Sequence, residues 1–144
     1  MIKEGTKIID FSLVDQDNKD HKLSDYSKDK VLLYFYPKDD TPGCTKEACA
    51  ITEVYDDFKK AGIVVLGVSV DSPESHKKFQ EKYNLPFTLL SDMDKKVIKE
   101  YEADGMLYTK RISYLIENGL IVKTYPNVDP ANHAVEILKD VNNI

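Results

Sequence analysis

Two cysteines, Cys44 and Cys49, stand five positions apart in the run TPGCTKEAC, directly behind a proline and a glycine. A thiol can be a nucleophile, a redox partner, a metal ligand or a small core residue, and its surroundings decide among these. Metal ligation is poorly served. Two cysteines separated by four residues lack a second ligand pair, and His21, His76 and His133 fall in three separate elements, so no metal is expected. The run DQDNKD resembles the start of a calcium loop, but Lys19 stands where the third ligand belongs and Asp20 where the glycine belongs, so it reads as a polar turn. Lys38, Asp39 and Asp40 read as a solvated loop. Thiol chemistry, or two small residues of a core, remains.

Composition narrows the setting. With 144 residues, 42% hydrophobic and 31% charged, the chain reads as one globular domain spanning 1–144. Its net charge of −5, with lysines spread along the chain, disfavours nucleic-acid and anionic-membrane partners. The opening MIKEGTKIIDFSL carries charges in its first seven positions and no long apolar run, so neither a secretory signal nor a membrane span is expected, and a cytoplasmic location is. In a reducing compartment, thiols serve chemistry more often than stapling.

The elements that must position the cysteines follow from apolar periodicity. VLLYFYP (31–37), IVVLGVSV (63–70) and FTLLSD (87–92) are short β-rich runs suited to buried strands. Ala48, Ile51, Tyr55 and Phe58 form one helical stripe ended by Gly62, and His76, Phe79 and Tyr83 form another behind a Ser72 cap and Pro73. A shorter helix is expected over 95–103, then a hairpin turning at Asn118-Gly119, then a closing helix with Ala134, Ile137, Leu138 and Val141. With an N-terminal β-hairpin extension in FSLVDQDNKDHKL, the order β-α-β-α-β-α-β-β-α implies an α/β fold, a central mixed sheet flanked by helices.

Cys44 therefore falls where a strand gives way to a helix. Thr41 is expected as N-cap, Pro42 at N1 and Gly43 at N2, leaving Cys44 in the first turn, where backbone N–H groups lack intrahelical partners. Those donors and the helix dipole favour a thiolate. Pro37 stiffens the approach to the loop, and Gly43 lets backbone come close to whatever docks at the sulfur. Two helical residues five apart have Cα atoms roughly 8.5 to 9 Å apart. A disulfide needs less than about 7 Å, so a bond between Cys44 and Cys49 requires the helix to unwind.

YFYPKDDTPGCTKEAC resembles the active-site signature of the peroxiredoxins, with Pro37, Thr41 and Cys44 meeting Pro-x-x-x-Thr-x-x-Cys. A second cysteine five residues on is similar to the bacterioferritin comigratory protein, or peroxiredoxin Q, subfamily. KRISYLIENG matches the strand that carries the family's arginine, here Arg111, and the order of elements resembles a thioredoxin-like fold from about residue 5 to the end. The resemblance implies a peroxidase. Cys44 would be the peroxidatic nucleophile, Thr41 would hold the peroxide, and Arg111 would stabilise thiolate and developing oxyanion, oriented by Glu47 one turn after Cys44. It further implies a sulfenic acid at Cys44, resolution by Cys49, a Cys44–Cys49 disulfide, and reduction by thioredoxin or a similar dithiol protein, with no metal or organic cofactor required. A monomer is expected by resemblance alone.

Two features depart from that pattern. Ile51-Thr52-Glu53 replaces a Phe-Arg-Asp-like run, so a second arginine near the site is absent, and EADGMLYTK before Arg111 is shorter than in many relatives. The rival readings are a general thiol-disulfide oxidoreductase and a holdase-type binding module. The first normally uses Cys-x-x-Cys, and nothing in the sequence asks for the second.

Overall fold

The structure, a computed structural model, describes residues 1–142. Three central strands, β3 (Lys30–Phe35), β4 (Ile63–Ser69) and β5 (Thr88–Ser91), run parallel to one another. The hairpin β6 (Ile112–Glu117) and β7 (Leu120–Tyr125) adds antiparallel beside β3. The N-terminal hairpin β1 (Ser12–Asp15) and β2 (Asp20–Lys22) adds antiparallel beside β5. The result is one seven-stranded mixed sheet in the order β2-β1-β5-β4-β3-β6-β7. Among the described residues a short 3-10 helix (Leu23–Tyr26) and five α-helices complete the order: α1 (Pro42–Glu53), α2 (Tyr55–Lys60), α3 (Pro73–Tyr83), α4 (Lys96–Glu100) and α5 (His133–Asn142). Among the described residues no helix is long and apolar enough to cross a membrane.

Strand alternation splits the core in two. Val31, Leu33 and Phe35 of β3 pack on one face with Val97 and Ile98 of α4, and Leu32 and Tyr34 on the other with Ala48, Ile51, Phe58, Phe79 and Ile137 from the remaining helices. The register sets Tyr34 opposite Gly67. A Cβ at Gly67 would lie 2.8 Å from the Tyr34 ring, so only glycine lets that ring lie across β4.

Local signals account for most boundaries. Ser72 caps α3 by accepting from the Ser75 amide, with Pro73 in its first turn. Asn118 (φ 52°) and Gly119 (φ 74°) are both left-handed, as a two-residue hairpin turn requires. DQDNKD is a polar turn: the Asp15 carboxylate accepts from the amides of Asp17 and Lys19 and bonds His21. His133, at the start of α5, bonds Ser113 Oγ through Nε2 at 2.8 Å.

One expected element differs. The stripe from Ala48 to Phe58 is not a single helix: the backbone leaves helical geometry at Val54 (φ −114°, ψ 20°) between α1 and α2. Two causes are visible. Thr52 Oγ1 donates to the Ala48 carbonyl at 2.8 Å, a back-bond that bends helices, and Ile51, Thr52 and Val54 are all β-branched.

Candidate active site

The site is built where β3 ends and α1 begins. Thr41 is the N-cap in extended geometry, and Pro42 opens the helix. The Thr41 side chain does not cap. Its Oγ1 donates to the Lys38 carbonyl at 2.8 Å, which leaves the oxygen's lone pairs free to accept. The Thr41 carbonyl accepts first from the Thr45 amide, so the amides of Gly43 and Cys44 precede the helical ladder. Cys44 sits in that first turn, 2% exposed, with a free thiol.

A cation reaches this turn from across the sheet. Arg111, just before β6, places Nη2 3.4 Å from Cys44 Sγ and donates through Nη1 to Glu47 Oε1 at 2.9 Å. Burial works against its charge, but Cys44 and Glu47 outweigh that and bind its proton more firmly than usual. Glu47 is 1% exposed, and its Oε2 has no partner. Burial pushes its carboxyl up to about 7 against the pull of Arg111. Cys44, Glu47 and Arg111 are thus in direct contact. Pro37 and Thr41 instead line a cleft of about 480 Å³ with Lys38, Val70, Leu107 and Tyr108.

Cys49 lies farther along α1, half-buried, its thiol free and pushed up by burial and then by the Glu53 charge. The helix between the two thiols is intact in this reduced state.

Three features escape sequence reasoning. Gly43 was expected to admit a ligand, but what it admits is Arg111: a Cβ there would lie 2.8 Å from Nη2 and 3.4 Å from Cζ. Asp39, expected in a solvated loop, is 7% exposed. It bonds the hydroxyls of Tyr36 and Ser75 and the ring of the fully buried His76. Third, Asp39, Asp71 and His76 bring ligand-type atoms within 4.8 Å of one another, a grouping that histidine spacing does not reveal. His76 Nδ1 lies 2.7 Å from Asp39 Oδ2, a hydrogen-bond contact. A polar residue on the otherwise apolar stripe of α3 was the one available hint.

A reduced thiol at a helix N-terminus, faced by a guanidinium and set beyond the carboxyl end of a central strand in a helix-flanked mixed sheet, defines a thiol oxidoreductase of thioredoxin-like architecture. Residues 5–124 match the AhpC/TSA family, and the chain belongs to it. It is 44% identical over 149 residues to a putative peroxiredoxin bcp of Coxiella burnetii, covering 95% of this chain and 97% of that protein. It is 45% identical over 143 residues to the chloroplastic peroxiredoxin Q of Sedum lineare, covering 96% and 77%. Peroxidoxin BcpB of Mycobacterium tuberculosis superposes with a TM-score of 0.92 at 29% identity, covering 100% and 99%. A cysteine-to-serine mutant of PrxQ from Xylella fastidiosa gives 0.93 at 30%, covering 99% and 97%. The family's chemistry, peroxide reduction by a cysteine thiol, makes the chain an oxidoreductase of the thiol-peroxidase class.

Proposed function

We propose that this protein reduces hydrogen peroxide and organic hydroperoxides through Cys44, with Cys49 as resolving thiol and thioredoxin or a similar dithiol protein as reductant. The observation that carries the reading is the 3.4 Å contact between Arg111 Nη2 and Cys44 Sγ, with the same guanidinium held by Glu47. The cation favours the thiolate and meets the negative charge that develops as the O–O bond breaks.

The Cys44 thiolate attacks the terminal peroxide oxygen. An S–O bond forms, the O–O bond breaks, and the alkoxide or hydroxide leaves and takes a proton, giving an alcohol or water and a sulfenic acid. Thr41 Oγ1, its own hydrogen committed to Lys38, accepts from the peroxide OH and orients it. Pro37 walls the approach, and the apolar cleft side of Val70, Leu107 and Tyr108 suits an organic substituent. After the first turns of α1 unwind, the Cys49 thiolate attacks the sulfenic sulfur, an S–S bond forms, and hydroxide leaves to become water. The dithiol partner reduces the disulfide by exchange. A monomeric protein acting in the cytoplasm belongs to the same reading.

The test is the mass of the reduced protein seconds after one equivalent of hydrogen peroxide. A loss of about 2 Da with a peptide joining Cys44 to Cys49 supports the cycle. Two free thiols beside persisting peroxide refute it.

A further inference from the structure

Residues 36–41 carry two walls of the cleft, Pro37 and Thr41, yet lie between β3 and α1 in neither ladder nor helix. Their shape comes from one buried carboxylate. Asp39, its side chain 4% exposed, accepts from Tyr36 OH at 2.6 Å and Ser75 Oγ at 2.8 Å, and meets His76 Nδ1 at 2.7 Å. His76 Nε2 faces the Leu90 carbonyl at 3.0 Å. A carbonyl only accepts, so the Nε2 contact is a donation, and the Nδ1 contact is the hydrogen bond that joins the ring to Asp39. The Asp39 amide donates at 2.8 Å to Asp71 Oδ2, which also takes the Ser69 hydroxyl at 2.6 Å. The next residue, Asp40, sits at φ 55° and is tied to α3 by Lys82 and Tyr83. The loop is therefore fastened to the ends of β4 and β5 and to α3, and the fastening stops at Asp40, just before the helix that must unwind.

We propose that Asp39 and His76 are positioning residues for peroxide reduction. They fix the Lys38 carbonyl that aims the Thr41 hydroxyl, and hold the Pro37–Thr41 wall in place while α1 opens and closes. The inference rests on the peroxidase reading and extends it to residues that touch no substrate.

The experiment compares two rates at Cys44 in a Cys49→Ser background: sulfenic acid formation with hydrogen peroxide, and alkylation by iodoacetamide, which needs the thiol but not the peroxide pocket. Asp39→Ala lowers the peroxide rate about tenfold or more and leaves alkylation within about twofold, because a displaced Thr41 costs orientation and not thiol access. Asp39→Asn recovers most of the loss, since an amide can accept from Tyr36 OH and donate to His76 Nδ1. Should Asp39→Ala not fold, Tyr36→Phe removes one of the three bonds and lowers the peroxide rate about threefold. A folded Asp39→Ala within about twofold of its parent, or peroxide and alkylation rates falling in proportion, overturns the proposal. A parent whose Cys44 ignores peroxide but takes iodoacetamide instead overturns the peroxidase reading beneath it.

Discussion

Arg111 and Gly43 are coupled by contact: the guanidinium occupies the space in which any other residue at 43 would carry its Cβ, 2.8 Å from Nη2. The cation reaches the Cys44 sulfur over a gap in the helix surface. Gly43→Ala should therefore act on Arg111 and not on the helix, since alanine is the better helix former and the site has no positive φ to strain it. The expected result is a fall of about tenfold in the peroxide rate constant with an unchanged melting temperature, read by stopped-flow and thermal unfolding. A lower melting temperature with an unchanged rate would contradict it.

Arg111→Lys keeps the charge and loses the fork that spans Cys44 and Glu47. A single ammonium cannot hold both, so the rate with peroxide should drop about 100-fold, the scale seen when one oxyanion donor is removed. Steady-state kinetics at saturating reductant checks this, and near-parental activity would mean that charge alone suffices.

Glu47 sets a pH dependence of stability. Its carboxyl, pushed to about 7 from 4.5 by burial, keeps a proton in the folded state at pH values where the unfolded chain has lost it. Between those two values the folded state binds more protons, so the residue's contribution falls as pH rises through that window and levels off above it. Urea unfolding of the parent and Glu47→Gln at pH 5 and pH 8 should show the parent losing ground to the variant by about 2–3 kcal/mol at the higher pH. Titrating groups remote from Glu47 are common to both proteins and cancel, so a pH-independent difference would sink the assignment.

Cys49→Ser should consume about one equivalent of peroxide and then stall, with Cys44 advancing to sulfinic acid when peroxide is in excess. Peptide mass spectrometry over time reads both species. Sustained cycling with thioredoxin alone would remove Cys49 from the resolving role.

The junction that carries the chemistry was legible because its signals are local. Pro42 and Gly43 behind Thr41 mark a helix start, Ser72-Pro73 marks another, and Asn118-Gly119 marks a turn, whatever the rest of the chain does. What stayed hidden is what tertiary packing decides. Asp39 read as solvent-facing because its partners lie up to 37 residues away on α3. The purpose of Gly43 required knowing that Arg111 would arrive from the far side of β3. The break at Val54 overrode a continuous apolar stripe, because both halves still bury Ile51 and Phe58 on the same sheet face. Pro37, Thr41, Glu47 and Arg111 are singled out by the family pattern, and spacing alone leaves each an ordinary residue.

The break at Val54 also sets the size of the unit that the proposed cycle would open. A continuous helix over 42–60 could not loosen as a whole without loosening Phe58, which is fully buried and worth about 3–5 kcal/mol to the fold. With the ladder interrupted at Val54, the turns bearing the two thiols can fray while Phe58 stays packed on the sheet, the local cost being the burial of Cys44 and Ala48. Opening then costs less than unfolding the whole chain, so the pace of the proposed thiol cycle is set within α1.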